Sequence, residues 1–246
     1  MSRRFFAPPE MIDRATITLS KEETHHLARV LRLRTGQEAL VFDGRGNEFR
    51  CVISDVRSHH ARLEIIEPLC PSRESCIDLT LAQGLAKGEK FDLIVQKATE
   101  LGVSRIVALA TENSDVKLDE QRSARRVERW RRISLEAIKQ CGRTKLVDIG
   151  KPLGLEEFLE GDRAANSALL LFSERGGATI KEAVAESGGK PVTALIGPEG
   201  GWSPREFEML DARNARAVSL GPRIMRAETA AFVAIALIQH LLGDMP

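Results

Sequence analysis

The amino-acid sequence predicts an α/β protein in two parts, a small β-barrel over residues 1–71 and a mostly parallel α/β domain over residues 72–246. Three observations lead there. The first seventy residues carry short apolar or alternating runs that read as strands. Pro68, Pro71 and Ser72 then interrupt the pattern, because proline ends strand pairing and restricts the residue before it. Beyond them strand-like runs alternate with helix-length segments, which is the pattern of βαβ units and a parallel sheet.

Taken in order, strands are expected at residues 15–19, 39–42, 48–56 and 61–66. Asp43-Gly44-Arg45-Gly46-Asn47 joins the second to the third as a hairpin turn, since glycine and asparagine readily supply positive φ. One helix interrupts the strands. Ser20 caps it, Glu23 completes a capping box, and THHLARVLR follows. Several short strands closing on themselves suggest the barrel. In the second part, strands are expected at 77–82, 104–110, 168–172, 192–196 and 217–220. Helices are expected at 89–101, 122–141, 180–187, 204–212 and 228–242.

Composition narrows the classes of function. A chain of 246 residues that is 43% hydrophobic can bury a full core. Cys51, Cys70, Cys76 and Cys141 form no CxxC pair, so neither a disulfide framework nor a zinc knuckle is indicated. The start, MSRRFFAPPE, has no apolar core of a signal peptide, and the longest apolar run, residues 230–238, is far short of the roughly 20 residues needed to span a bilayer. A cytoplasmic protein with no membrane partner is expected. The formal net charge is only +1, but nine Lys and Arg against two Glu lie between positions 122 and 145. Such an excess can follow a phosphate backbone, and it equally fits a solvated helix face.

Two glycine turns carry the chemistry. In VTALIGPEGGWSPREFEML a short apolar strand runs into residues 197–201. Ser203 then caps a helix, Pro204 suits its first position, and Glu206 completes a capping box flanked by Trp202 and Phe207. Ligands of open α/β sheets bind beyond the carboxyl ends of strands, where this turn falls. GPEGG is neither GxGxxG nor GxxxxGK[ST], so dinucleotide and P-loop readings lose their support. Two readings stay open, a ligand turn and a tight strand-to-helix connection. SLGPRIMRAETAAFVAIALIQ repeats the logic, with Arg223, Arg226 and Glu228 where an apolar helix begins. There an Arg226–Glu228 ion pair closing the loop competes with a functional use, because a buried charge needs a partner.

LIGPEGGW with LGPRIMRAETAA resembles the signature of the RsmE family, bacterial enzymes of the SPOUT methyltransferase class that make N3-methyluridine in 16S ribosomal RNA. Segments along nearly the whole chain add to the resemblance: RRFF, HHLARVLRLRTG, LAQGLAKGEKFDLIVQKATELGV, Arg129–Trp130 and EAIKQCGR. Met225 and Trp202 depart from the more usual leucine and phenylalanine but keep apolar bulk. The resemblance implies a PUA-like β-barrel that grips RNA and a C-terminal α/β domain with a deep trefoil knot over about residues 193–242. It also implies S-adenosylmethionine as cofactor, the 16S RNA of the small ribosomal subunit as partner, and a homodimer. Two alternatives remain: a SPOUT enzyme methylating another acceptor, such as a ribose 2′-hydroxyl, and a non-catalytic RNA-binding assembly factor.

Carried over by position, the cofactor contacts expected are Leu195, Ile196, Gly197, Glu199, Gly200, Gly201, Leu220, Gly221, Ile224, Met225 and Arg226, with Phe172 packing on the adenine. Uridine N3 must lose a proton before or during attack, and charge then develops on the flanking carbonyl oxygens. Arg226, always cationic, is the expected stabiliser, with Glu228 orienting it or taking the proton, and Glu199 as an alternative base. RNA contacts are expected from Arg4, His25, His26, Arg29, Arg32 and Arg143. Phe5 and Phe6 could stack on bases or pack in the interior. Gln96, Lys97 and Glu100 are candidates to border the substrate pocket. No Cys/His ligand spacing accompanies the histidines, so no metal is expected.

Overall fold

The structure is a computed structural model that describes residues 3–71, 73–114 and 119–246. Ser72, at the expected break between the two parts, lies outside the described residues. The chain forms two compact units. The first comprises Met1–Glu74 and Leu135–Leu146, and the second Ser75–Ser134 and Val147–Pro246.

In the first unit β1 (Arg4–Phe6), β2 (Thr16–Leu19), β3 (Glu38–Phe42), β4 (Glu48–Val56) and β5 (Ala61–Leu69) form one sheet in the order β1-β3-β4-β5-β2. All its ladders are antiparallel except β1 with β3. Among the described residues the end strands β1 and β2 share no ladder, so the anticipated barrel is a five-stranded sheet not closed by strand pairing, and Ile12 bridges to Ile17 along its β2 edge. Alternation does the folding. Ile17, Leu19, Val41, Cys51, Ile53 and Leu63 point into a common core with Phe5 and Leu27. The expected helix is α1 (Lys21–His25), capped by the Ser20 hydroxyl, which accepts the Glu23 N–H. It continues into a single π turn over His26–Val30, and Arg32 closes the segment at a φ of 54°.

Arg4 organises this unit. Its guanidinium is 4% exposed, pairs with Glu48 at 2.6 Å, and donates to the carbonyls of Ile138, Lys139 and Arg143. Lys139, also buried, sits between Glu23 and Glu136. Arg143 donates to Glu74 from two nitrogens at 2.9 and 3.0 Å.

In the second unit β6 (Leu79–Gly84), β7 (Arg105–Ala110), β8 (Asp148–Ile149), β9 (Leu153–Gly154), β10 (Ala168–Phe172), β11 (Val192–Ile196) and β12 (Arg216–Val218) form a wholly parallel sheet. Its order is β12-β10-β11-β6-β7-β8, with β9 also on β7. Every residue of β6 and β11 is buried, as in a sheet covered on both faces. The helices are α2 (Lys90–Glu100), α3 (Glu120–Cys141), α4 (Leu155–Glu160), α5 (Asp162–Ala165), α6 (Ile180–Ala185), α7 (Pro204–Ala212) and α8 (Ala227–Leu242). One core gathers Ala82, Leu109, Phe158, Leu171, Leu195, Trp202 and Leu210. Elsewhere Ala231, Ala234, Ile235 and Ile238 of α8 are buried. Gln239 anchors the far end of α8, accepting from Ser75 and donating to the Leu101 carbonyl. Among the described residues no helix is long and apolar enough to cross a membrane.

Candidate cofactor site

Because the sheet is parallel and β12, β10 and β11 are neighbours, the loops leaving their carboxyl ends emerge side by side. The three loops cover residues 173–178, 197–203 and 219–226. Between them lies a cavity of about 680 Å³, whose rim is completed by Lys90 at the start of α2 and by Ala227 and Ala230 of α8. That volume falls in the usual range for small-molecule sites.

The loop after β11 is held from several sides. Ser203 and Glu206 form the capping box anticipated from the sequence: the Ser203 hydroxyl accepts the Glu206 N–H, and Glu206 Oε2 accepts the Ser203 N–H. Glu206 is buried, and its other oxygen accepts the N–H of Glu112, beyond β7. Asn113 next to it donates to the carbonyls of Gly200 and Gly201. Underneath, Gln83 donates to the Gly197 carbonyl, and a Cβ built on Gly84 would meet the Pro198 nitrogen at 2.4 Å. Only glycine lets the end of β6 and this loop approach so closely. Gly221, in the loop after β12, has a φ of 107°, which any larger residue would adopt only under strain.

Most of the residues anticipated from the sequence meet at this cavity. Phe172, Ile196, Gly197, Glu199, Gly200, Gly201, Leu220, Gly221, Ile224, Met225 and Arg226 all line it. Leu195 does not. Strand alternation turns its side chain into the core beside Ala82 and Leu171. Glu199 is ion-paired with Lys90, so it is not a free base. Arg226 is the N-cap residue of α8, its carbonyl accepting the Ala230 N–H, and its exposed side chain borders the cavity with no hydrogen-bond or ion-pair partner of the guanidinium among the described residues. The Arg226–Glu228 ion pair is therefore not formed. Glu228 lies in the first turn of α8, off the cavity lining, and keeps its Oε2 enclosed with no partner among the described residues.

The expected RNA residues separate into two groups. His25, Arg29 and Arg32 are exposed, and His26 is half-buried with its ring edge-on to Phe5. Arg4 and Arg143 are buried, and their guanidiniums are engaged by Glu48 and Glu74, which leaves little to offer a phosphate. We assign these two a structural role. Phe5 belongs to the core, and Phe6 packs on Phe42. Lys97 pairs with Glu100 on α2, and neither they nor Gln96 line the cavity. Of the arginines on α3, Arg129 pairs with Asp92 and Arg122 with Asp119. Among the described residues no group of His, Cys, Asp and Glu could hold a metal ion.

Sequence reasoning missed Lys90, Glu174, Pro198 and Asn113. Glu174 follows β10 by two residues, a position that a strand-end rule could have flagged. Lys90 and Asn113 reach the loop through the tertiary fold and leave no local signal.

Comparison with known proteins agrees with this geometry. Residues 73–239 match the RNA methyltransferase domain family, and residues 19–66 match the RNA methyltransferase PUA domain. The Ribosomal RNA small subunit methyltransferase E of Synechocystis is 35% identical over 98% of this chain and 78% of its own length. That of Bacillus subtilis is 31% identical over 93% of each. Among solved structures, the Ribosomal RNA small subunit methyltransferase E of Neisseria gonorrhoeae bound to S-adenosyl methionine superposes with a TM-score of 0.91 at 31% identity over all of both chains. A Legionella pneumophila protein solved in complex with the bound cofactor SAM gives 0.88 at 32% over 99% of each. Fold and site together define an RNA methyltransferase unit preceded by a PUA domain. Within that class the chain belongs to the ribosomal RNA small subunit methyltransferase E family.

Proposed function

We propose that this protein transfers a methyl group from S-adenosylmethionine to N3 of a uridine in the 16S RNA of the small ribosomal subunit. The observation that carries the reading is the three-loop cavity at the ends of β10, β11 and β12, in a chain whose Neisseria relative was solved with S-adenosyl methionine. The cavity suits such a ligand. It offers apolar surface at Phe172, Ile196 and Met225, glycine backbone for close approach, and carboxylates and arginines at its edge. In the same reading residues 193–242 are threaded as a deep trefoil knot, the protein works as a homodimer, and it acts in the cytoplasm where its substrate is.

The cofactor, when bound, supplies a methyl group activated on a sulfonium. What remains is done by the chain. Phe172 and the backbone of the loops after β11 and β12 hold donor and acceptor in line, and such positioning is itself a large part of the rate. Arg226 reaches the cavity with its donors uncommitted, so it stabilises the negative charge that develops on the uracil carbonyl oxygens. Glu228, two residues on in the first turn of α8 and off the cavity lining, is a positioning residue for the segment that carries Arg226. His25, His26, Arg29 and Arg32 of the first unit grip the RNA.

The test incubates the protein with methyl-labelled S-adenosylmethionine and either small ribosomal subunits or naked 16S RNA, followed by mass spectrometry of the digested nucleosides. The expected product is 3-methyluridine. A 2′-O-methylated nucleoside would overturn the acceptor assignment, and cofactor binding without methylation of either substrate would overturn the enzymatic one.

A further inference from the structure

We propose that Glu174 reads the ribose of the cofactor, its two carboxylate oxygens accepting hydrogen bonds from the 2′- and 3′-hydroxyls. The inference rests on the S-adenosylmethionine reading of the cavity. It starts from the position of β10, the middle strand of the three, so that its loop is flanked by the other two. Glu174 is the second residue beyond that strand and lines the cavity. Its Oε1 lies 4.0 Å from where a Cβ of Gly201 would be, which turns the carboxylate toward the loop after β11.

Two carboxylates border the cavity, and they differ in occupation. Glu199 is neutralised by Lys90. Glu174 makes no ion pair or hydrogen bond among the described residues. Its neighbour Arg175, the nearest cation in sequence, is directed elsewhere, with its guanidinium 4.1 Å over the ring of Phe207. The backbone around Glu174 is fixed at both ends. The Ser173 hydroxyl accepts the Arg175 N–H at 3.1 Å, and a Cβ on Gly177 would lie 2.5 Å from the Ala217 backbone. A held, unspent acceptor facing a ligand cavity is placed to select donors.

Ribose is the donor that the spacing selects. A carboxylate accepts only, through two oxygens that match a vicinal diol, and acidic residues near the strand ends of other α/β sheets take ribose hydroxyls in this way. Phe172, assigned to the adenine, is two residues before Glu174, at most about 7 Å along the chain. The sugar is the next group from the base. The other donors on the cofactor are the 6-amino group of its adenine and the ammonium of its methionine end, and all three are separable.

The experiment measures binding of S-adenosylhomocysteine, of 5′-methylthioadenosine, which keeps the ribose but lacks the amino-acid end, and of 5′-methylthioinosine, which also lacks the adenine amino group, by calorimetry on wild type, Glu174→Ala and Glu174→Gln. Loss of hydrogen bonds to a charged group predicts that Glu174→Ala weakens all these ligands by a similar factor, about 10- to 100-fold, with Glu174→Gln intermediate. Weakening of both adenine ligands with 5′-methylthioinosine unchanged would move Glu174 to the adenine amino group and overturn the ribose assignment. Weakening of S-adenosylhomocysteine alone would move Glu174 to the ammonium and overturn the ribose assignment. Unchanged affinity for all three would overturn any contact with the cofactor. Failure of wild type itself to bind S-adenosylhomocysteine would instead sink the cofactor reading on which the inference rests. Melting of the unliganded variants at the wild-type temperature confirms that affinity, not folding, is being read.

Discussion

A single methyl group added at Gly84 tests how the cofactor loop is held. In Gly84→Ala the new Cβ would lie 2.4 Å from the Pro198 nitrogen, 2.7 Å from Pro198 Cδ and 2.9 Å from the Gly197 carbonyl carbon. Two of these atoms are backbone and the third belongs to a proline ring, so no flexible side-chain tip can swing aside. Ordinary contact begins at 3.4 Å, and the loop therefore has to retreat by about 1 Å. The hydrogen bond from Gln83 to the Gly197 carbonyl, already 3.2 Å long, would be stretched by the same movement. Overpacking of this kind costs about 1–3 kcal/mol. In a unit of this size that lowers the melting temperature by roughly 2–12 °C. A ligand site loosened by about 1 Å should also lose at least about tenfold in affinity for S-adenosylhomocysteine. Differential scanning fluorimetry and calorimetry read the two effects. Gly150→Ala is the control, because its Cβ would meet nothing within 4 Å. If Gly84→Ala melted with the control and bound S-adenosylhomocysteine as tightly as wild type, close packing of β6 against the loop would not be what fixes the site.

Arg226→Ala should lower turnover by about 10²- to 10³-fold while changing cofactor affinity far less, as single-turnover kinetics and calorimetry would show; near-normal turnover would remove Arg226 from the chemistry. Arg4→Ala leaves Glu48 buried without its cation and should destabilise the first unit by about 3–5 kcal/mol in urea titrations, and a loss under 1 kcal/mol would contradict the buried pair. Burial pushes the Cys51 thiol up to about 12, so at pH 8 native protein should react with iodoacetamide at exposed Cys70 and Cys76 and leave Cys51 unmodified, as peptide mapping would reveal. Lys139 is held above its ordinary 10.5: desolvation opposes its charge, but Glu23 and Glu136 outweigh that. Its contribution to stability should be complete below pH 10.5 and disappear as pH rises beyond, a decline that Lys139→Met should flatten.

Much of the second unit could be read from the sequence because its strands and helices are long or strongly capped. The helix 204–212 coincides with α7, since Ser203, Pro204 and Glu206 fix its start by local hydrogen bonds. The loop after β11 was legible for the same reason, a glycine turn between an apolar strand and a capped helix. What could not be read depends on distant partners. β1, three residues long, is a strand only because β3 lies parallel to it some thirty-five residues later. β8 and β9 are two residues each and exist as pairings on β7. The turn His26–Val30 widens to a π turn inside a segment whose pattern reads as plain helix. Leu195 and Glu228 are grouped with the site by position in a motif, whereas Leu195 packs in the core and Glu228 lies off the cavity lining. Nor does the sequence mark the change at Leu135, because α3 runs through it without a break.

The four acceptors around Arg4 also set a timetable for the growing chain. Glu48 is available early, but the carbonyls of Ile138, Lys139 and Arg143 do not exist until some ninety residues later. At about 5–20 residues per second, that is a wait of roughly 5–20 s during which the first sheet is synthesised and Arg4 has three of its acceptors missing. Glu23 waits longer still, because Lys139 follows it by 116 residues. The unit that is translated first should therefore be completed late: a nascent chain stopped at residue 134 should remain open to protease, and one in which the segment from Leu135 to Leu146 has emerged should be protected.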